Sequence, residues 1–249
     1  MKYMGGKGRI AKHIVPIIQA YIDNLPNCNS YLEPFVGGAN VIDKIKCENK
    51  YGSDLNEYLI ALLKYVACGG ELYNSVSKDL YNSARKCFYE NKIGDFEPWQ
   101  IGCIGFLASY NGKFFDGGYA KPTIEKTKYG EKYRDYYQEA KNNLMNQAPL
   151  LKDIDFESMD YREINPSIKN FVIYCDPPYA NVTQFKNSTN FNFDEFWDYV
   201  RMWSRNNIVL VSELSAPADF KCIWEKPVSR SIKATDKSVA VEKLFICRG

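Results

Sequence analysis

The chain has 249 residues, 45% of them hydrophobic and 25% charged, an ordinary composition for a soluble globular protein with room for one domain and an insertion. Its net charge of +2 is too small to indicate a nucleic-acid partner by itself, so such a partner has to be argued from local charge. No stretch approaches the roughly 20 apolar residues of a membrane helix, and the N-terminus lacks the apolar core of a signal peptide.

Cysteine and histidine usage bears on metal binding and on the compartment. The eight cysteines are scattered without a C-x-x-C pair, and His13 is the one histidine. We therefore expect no structural zinc site and no other metal. Several cysteines lie in apolar runs, where they serve as small hydrophobic residues, and this usage predicts a cytoplasmic protein.

The first 70 residues alternate between helical and strand patterns. We predict helices over 9–23, 40–46 and 56–67, and strands over 30–35 and 50–54. Glycines follow the first strand and the last helix, at Gly37-Gly38 and Gly69-Gly70. This β-turn-α-β-α order favours a parallel sheet.

Residues 70–150 differ from the rest of the chain. Helical patches surround a loop rich in glycine and aromatic residues at 111–122, and strand signals are few, which predicts a helical insertion. Strand patterns return at 151–158, 171–175 and 207–214, with a helix over 192–205 and a C-terminal antiparallel hairpin over 224–232 and 241–248. We predict an α/β fold in which 1–69 and 151–249 form one domain, interrupted by the insertion at 70–150.

A glycine turn, FVGGA at 35–39, joins the first predicted strand to a helix. Such a turn lets a ligand approach the backbone and offers N–H groups at the helix start. Asp54 ends the next strand, where nucleoside-binding folds place the carboxylate that binds ribose hydroxyls. A plain β-to-α turn is the alternative for the glycines, and a surface acid or helix N-cap is the alternative for Asp54.

The tetrapeptide Asp176-Pro177-Pro178-Tyr179 follows the apolar run FVIYC. Two prolines hold the chain away from helix, so the strand end presents the Asp176 carboxylate and the Pro177 carbonyl as two fixed acceptors beside an aromatic ring. Two acceptors and a stacking face suit a planar group with an NH2, such as the amino edge of adenine or cytosine. A turn that merely ends the strand is the alternative.

In their order and spacing, four segments resemble the DNA adenine-N6 methyltransferases of the Dam type, the D12 class. They are the YMGGK segment at 3–7, LEPFVGGANV around the glycine turn, SDLNEYLIALL from Ser53, and YCDPPY. The resemblance covers most of the chain. It implies a Rossmann-like methyltransferase sheet, S-adenosylmethionine as cofactor, and a target-recognition domain in the helical insertion.

The resemblance also assigns roles to residues. It implies that the catalytic residues are Asp176, Pro177, Pro178 and Tyr179, which would hold and stack on a flipped base. It implies that the cofactor-binding residues are Tyr3, Gly5, Gly6, Lys7, Pro34, Phe35, Gly37, Gly38, Asp54, Asp160, Tyr161 and Asp176. Two positions depart from the family: Ala39 stands where glycine is frequent, and Ser212-Glu213 where Ser-Asn is usual.

Contacts with double-stranded DNA are predicted in two places. Tyr110-Asn111-Gly112 resembles an element of the family's recognition domain, and Lys113 follows it; core and loop packing is the alternative for these residues. Arg230, Lys233 and Lys237 lie where a family loop approaches DNA, and their charge suits phosphates, although a solvated surface loop would look the same.

The function predicted from these features is S-adenosylmethionine-dependent methylation of adenine N6 in a short DNA sequence, with a monomer favoured. The loop after Gly112 differs from that of enzymes that read GATC, so this target is in doubt. Two alternatives remain open: an amino-methyltransferase acting on cytosine N4 or on RNA, and a catalytically silent module that binds the cofactor or DNA.

Overall fold

The computed structural model describes residues 1–91, 94–127, 130–179, 191–233 and 236–247, and at 127, 229–233 and 236–240 it describes the backbone alone. Within these ranges the helices are α1 (Ala11–Asn24), α2 (Glu57–Ala67), α3 (Lys78–Glu90), α4 (Pro98–Gly102), α5 (Tyr136–Leu151) and α6 (Phe193–Ser204). A π-helical turn, Cys103–Leu107, continues α4, and short 3-10 turns occur at Lys7–Arg9, Ile42–Lys44, Tyr110–Gly112 and Tyr161–Glu163.

The described strands form one large sheet and one hairpin. They are β1 (Ser30–Glu33), β2 (Asn49–Asp54), β3 (Thr123–Thr127), β4 (Gly130–Arg134), β5 (Ile154–Ser158), β6 (Phe171–Cys175), β7 (Ile208–Glu213), β8 (Phe220–Lys233) and β9 (Asp236–Cys247). Seven of them follow the order β5-β2-β1-β6-β7-β9-β8, and β3 pairs with β4 alone. The pairs of β1 with β2, β1 with β6 and β6 with β7 are parallel, while β9 is antiparallel to β7 and β8.

The register brings the carboxyl ends of three parallel strands side by side. Glu33 of β1 is opposite Gly52 of β2, and Leu32 is opposite Ile173 of β6. Strands β1 and β6 are short and largely buried, as expected when connecting elements cover a parallel sheet. Ligands of open α/β sheets bind at such an edge, so the segments that follow β1, β2 and β6 are the first to consider as a site.

By their packing, the described residues divide into two compact units. Unit 1 comprises Met1–Ala11, Gly37–Lys44 and Asp54–Ser158, and it contains helices α2 to α5 and the β3–β4 hairpin. Unit 2 comprises Lys12–Val36, Ile45–Ser53 and Met159–Gly249, and its core packs strands β6 and β7 against α6. These are units of packing, and the division at residues 70 and 150 stays a prediction.

The α/β class, the parallel sheet and the C-terminal antiparallel hairpin are confirmed. The helix predicted over 40–46 is wrong, because only one 3-10 turn forms at Ile42–Lys44. The backbone carbonyls of residues 38–40 accept hydrogen bonds from the side chains of Gln147 and Lys44 rather than from the N–H groups of a continuing helix. The hairpin β3–β4 is an addition to the predicted helical insertion.

Across the described ranges, no helix is both long and apolar enough to span a membrane.

Candidate active site

The glycine turn is shaped by the close approach of Tyr3. Gly37 has φ +49°, and a Cβ placed there would lie 3.0 Å from the Tyr3 ring; a Cβ on Gly38 would lie 2.9 Å from the Tyr3 Cβ. A side chain at either position would therefore displace the tyrosine. The same ring contacts Phe106, with centroids 5.7 Å apart. Tyr3 and the two glycines, from two of the segments assigned by the resemblance, thus meet within unit 1.

Asp54 closes this turn from the end of β2. Its carboxylate accepts hydrogen bonds from the backbone N–H of Gly37 at 3.1 Å and of Asn56 at 3.0 Å. Burial raises the pKa of Asp54, while these two hydrogen bonds oppose the rise. The N-cap of α2 is Asn56, whose side chain accepts from the Leu59 N–H, so Asp54 does not have the alternative role of helix cap.

The residues around the turn fit a nucleoside cofactor. Each Asp54 oxygen accepts one backbone N–H and keeps capacity for another donor, because a carboxylate has about four lone-pair directions. The glycines allow the Tyr3 side chain to pack directly against the backbone of the turn, where a Cβ would have no room. Of the other residues assigned near the cofactor in unit 1, Lys7 is buried in the first 3-10 turn, Gly6 directly precedes that turn, and Gly5 has φ +81°.

A second group of assigned residues forms an aromatic cluster in unit 2. Pro34 is buried just after β1, and the Phe35 ring that follows lies 5.3 Å from that of Tyr161 and 5.7 Å from that of Phe196, between ring centroids. Asp160 receives two hydrogen bonds from the Arg162 guanidinium, at 2.7 and 2.9 Å, which hold its pKa below the usual range. Asp160 is thus an ion-pair partner in this structure.

The Asp176-Pro177-Pro178-Tyr179 segment leaves β6 as irregular backbone, as the two prolines predict. Pro177 is buried, while Asp176, Pro178 and Tyr179 are partly exposed. The Tyr179 hydroxyl donates to the carboxylate of Glu242 on β9 at 2.6 Å. Burial, with the negative charges of Asp176 and Glu242, raises the pKa of Tyr179 well above its usual value, so the phenol keeps its proton.

Buried polar side chains support the strand ends around this segment. The Tyr174 hydroxyl of β6 is 2.8 Å from the Ser212 hydroxyl of β7, and the Tyr31 hydroxyl of β1 donates to Glu33 at 2.7 Å. Glu213, where the family usually has asparagine, accepts from the Leu214 N–H at 2.7 Å and ends β7. The Ser212-Glu213 departure therefore has a structural role at the end of the strand.

The residues predicted to contact DNA differ in their exposure, and some of their side chains are not described. Tyr110 is 49% exposed and Asn111 is exposed with φ +58°, while Lys113 is partly buried. Gly112 packs tightly, because a Cβ there would lie 2.7 Å from the carbonyl oxygen of Lys2. The side chains of Arg230, Lys233 and Lys237 lie outside the described residues.

The sequence analysis did not identify two residues that contact the candidate site, Glu242 and Gln147. Glu242 contacts Tyr179 from a strand 63 residues further along the chain, and Gln147 contacts the glycine turn from α5. Neither residue belongs to a motif. Only covariation between positions in an alignment of homologues could have indicated these two contacts. In the described part of the chain, no group of three histidine, cysteine or acidic side chains could hold a metal ion.

Comparison with known proteins matches this chain to one family. A family model described as D12 class N6 adenine-specific DNA methyltransferase matches residues 3–202, which include both the glycine turn and the Asp-Pro-Pro-Tyr segment. The type II methyltransferase M.MjaIII of Methanocaldococcus jannaschii is 26% identical over 227 residues, covering 80% of this chain and 74% of that protein. The DNA adenine methylase of Escherichia coli K12 is 23% identical over 206 residues, covering 79% and 70%.

Proposed function

The chain belongs to the D12 class of N6 adenine-specific DNA methyltransferases, and we propose that it methylates an adenine flipped out of duplex DNA within a short recognition sequence. The observation that carries this proposal is the position of the Asp176–Tyr179 segment. It follows β6, whose parallel neighbour β1 leads into the glycine turn. Flipping is needed because the amino group of a paired adenine cannot reach a buried methyl donor, and it costs a few kcal/mol of pairing and stacking.

S-adenosylmethionine supplies the methyl group as an electrophile bound to a sulfonium. For this chain, we propose that Asp54 accepts the ribose hydroxyls and that the backbone at Gly37 and Gly38 adjoins the methionine part beside Tyr3. Lys7, Gly5 and Gly6 complete this side of the site. Phe35 is proposed to adjoin the methionine part, and Asp160 and Tyr161 are proposed to lie near the cofactor's adenine. To bind the adenine directly, Asp160 would have to give up hydrogen bonds from Arg162.

Asp176 orients the nucleophile. The exocyclic nitrogen of adenine is a poor nucleophile because its lone pair is delocalised into the ring. The Asp176 carboxylate and the Pro177 carbonyl each accept a hydrogen bond from one of its two N–H groups. The nitrogen then becomes more tetrahedral, and its lone pair is available to the methyl group. Two acceptors on a backbone fixed by prolines provide this orientation without moving during the reaction.

Tyr179 stacks on the flipped base. Stacking of a base on an aromatic ring is worth roughly 1–3 kcal/mol, which offsets part of the cost of flipping. The hydrogen bond to Glu242 anchors the hydroxyl end of the side chain and so limits its swing about the Cα–Cβ bond. The ring is therefore held before the base arrives, which lowers the entropy lost on binding.

We propose that the insertion at 70–150 reads the DNA sequence. The exposure of Tyr110 and Asn111 supports contacts from this turn, and Lys113 lies next to it. Arg230, Lys233 and Lys237 supply charge for phosphates by their position in the sequence. Double-stranded DNA is the proposed substrate, and the protein is proposed to act as a cytoplasmic monomer without a metal. In support of the compartment, none of the eight cysteines, all in described ranges, forms a disulfide.

Expression in cells that lack adenine methylation tests the function. Genomic DNA from cells producing the wild-type chain is read by long-read sequencing, with an Asp176→Ala strain as the matched control. The proposal expects N6-methyladenine at one short sequence in the wild-type strain and none in the control. Modified cytosine, modified RNA alone, or no modification from a folded protein would each overturn it in favour of one of the alternatives.

A further inference from the structure

Gln147 lies on the buried face of α5 and contacts the glycine turn. The residue is 6% exposed, and it is separated from the turn by more than 100 positions in the sequence. Its side-chain Nε2 donates to the carbonyl oxygens of Ala39 at 2.8 Å and Gly38 at 3.2 Å, and to the Asp43 carboxylate at 2.9 Å. Its Oε1 accepts from the backbone nitrogen of Met1. All these residues belong to unit 1.

These contacts satisfy carbonyls that helix formation would normally satisfy. The chain after the glycine turn forms only the short turn at Ile42–Lys44, so the carbonyls of residues 38–40 receive no N–H from a following α-helix. Gln147 donates to the first two, and the Lys44 ammonium donates to that of Asn40 at 2.9 Å. The Gly38 carbonyl also accepts from the Met1 N-terminal ammonium at 3.4 Å, so the Ala39 carbonyl is the one that depends most on Gln147. Gly38 and Ala39 are buried, and a buried carbonyl without a donor costs about 1–3 kcal/mol.

The backbone conformation of Ala39 is strained, so the turn depends on stabilising contacts from other parts of the chain. Ala39 has φ +53°, a left-handed conformation that is strained for any residue with a Cβ, and it is completely buried. Glycine would adopt this conformation without strain. In this chain the Gln147 amide bonds the Ala39 carbonyl directly, which stabilises the strained residue.

We propose that Gln147 is a positioning residue for S-adenosylmethionine: from the insertion, it holds the glycine turn in the conformation that binds the cofactor. Gln147 acts through the turn and has no need to touch the cofactor. The inference rests on the proposed function, because it assumes that Gly37, Gly38 and Asp54 form the cofactor site. It also means that the insertion contributes to cofactor affinity as well as to DNA recognition.

The test measures binding of S-adenosylhomocysteine by isothermal titration calorimetry, well below the melting temperature of each variant. Gln147→Met keeps the length of the side chain and removes its donors, and Gln147→Glu keeps its shape and adds a charge beside Asp43. Asn146→Ala, at the exposed neighbouring position of the same helix, is the matched control. Steady-state kinetics on DNA carrying the recognition sequence give separate KM values for cofactor and DNA.

We expect the dissociation constant of S-adenosylhomocysteine to rise about tenfold in Gln147→Met and further in Gln147→Glu. The KM for DNA and the kcat at saturating cofactor should stay within about twofold of wild type, and so should every value for Asn146→Ala. Adding Ala39→Gly to Gln147→Met should recover part of the lost affinity, because glycine removes the strain that Gln147 supports. A residue with a general structural role would lower the melting temperature without this selective change.

Three results would overturn the inference. Folded Gln147 variants that bind S-adenosylhomocysteine within twofold of wild type would show that the turn does not need the amide. If Gln147→Met does not fold, Gln147→Glu is compared with wild type; if neither folds, the residue has a general packing role instead. Wild-type protein that fails to bind S-adenosylhomocysteine would refute the cofactor site itself, which distinguishes failure of the proposed function from failure of this inference.

Discussion

The glycine turn and the Asp-Pro-Pro-Tyr segment are two parts of the proposed active site that are held in different ways. At the turn, backbone N–H groups bond the Asp54 carboxylate and the Gln147 amide bonds two backbone carbonyls. Buried acids and tyrosines dominate at the segment, where the contact at Tyr179 pairs a phenol with a carboxylate. The turn is therefore held through its own backbone, whereas the segment is held through the Tyr179 side chain, whose partner is an ionisable group.

The largest effect is expected from removing the acid of the segment. Asp176→Ala deletes one of two acceptors for the adenine amino group, and we expect methyl transfer to fall by about 10³-fold, the scale found when a preorganised catalytic hydrogen bond is removed. Binding of S-adenosylhomocysteine should weaken but remain measurable by calorimetry. Asp155→Ala, an exposed acid on β5, is the control and should retain full activity. Normal turnover by Asp176→Ala would remove the basis for the proposed mechanism.

Variants of Tyr179 and Glu242 test whether these two hydrogen-bonded residues act together. Tyr179→Ala removes the stacking face, and we expect kcat/KM for DNA to fall roughly 100-fold, a change of about 3 kcal/mol. Tyr179→Phe keeps the ring and loses the hydrogen bond, so a loss of about tenfold is expected.

A double-mutant cycle provides the control for this pair. Glu242→Gln should cost less than tenfold, and combining it with Tyr179→Phe should cost less than the product of the two single losses. Fluorescence of 2-aminopurine at the target position, which rises when the base leaves the stack, reports flipping directly. Strictly multiplicative losses would mean that the two residues act independently.

Asp54 tests the turn and has a smaller expected effect on turnover. Asp54→Asn keeps one acceptor, so we expect the dissociation constant of S-adenosylhomocysteine to rise about tenfold while kcat at saturation changes little. Because the pKa of Asp54 is raised, protonation on acidification begins at a higher pH than for an ordinary aspartate. Affinity for the cofactor should therefore fall as the pH is lowered toward that raised pKa.

The asparagine variant supplies the control for that pH dependence. Asp54→Asn cannot titrate, so its affinity profile should be flatter than that of wild type over the same range. Calorimetry across a series of buffers checks both profiles. If affinity falls equally steeply with decreasing pH in the two proteins, a group other than Asp54 causes the loss of affinity at low pH.

Cysteine labelling is expected to leave activity unchanged, which makes it the mildest test. Each unit buries a cysteine deeply: burial raises the pKa of Cys103 to about 11 and that of Cys175, next to Asp176, well above its usual value. Alkylation requires the thiolate. Iodoacetamide at pH 8 should label the exposed Cys68 and Cys222 of the native protein, spare the two buried thiols, and change activity by less than twofold. Peptide mass spectrometry reads the sites, and labelling of Cys175 in folded protein would show that the segment opens.

The predictable part of the structure lies where a pattern is local. Hydrophobic runs predicted β6 and β7 because buried parallel strands are continuously apolar, and the prolines predicted irregular backbone after Cys175. The hairpin β3–β4 was not predicted, since its two strands have no buried face to impose a pattern. Ile124 and Tyr133, paired across it, are 64% and 66% exposed.

The unpredicted part of the site consists of long-range contacts. Gln147 and Glu242 are polar residues in ordinary surroundings, and nothing local in the sequence distinguishes them from surface side chains. Their importance arises only when folding brings α5 against the glycine turn and β9 against Tyr179. A long-range contact also bears on the helix wrongly predicted over 40–46, because the Gln147 side chain, together with that of Lys44, donates to carbonyls in place of backbone N–H groups.

The tight packing of Gly112 limits how the specificity of this protein could be re-engineered. A Cβ at Gly112 would collide with the backbone of Lys2, directly beside Tyr3 and the glycine turn, so the Tyr110–Gly112 turn cannot be exchanged without disturbing its neighbours. The β3–β4 hairpin, in contrast, presents exposed side chains and is joined to α5 chiefly through Arg134, which pairs with Glu125 and Glu139. Grafted or randomised recognition residues would be tolerated best on that hairpin, with Gly112 and Gln147 kept as fixed points of the scaffold.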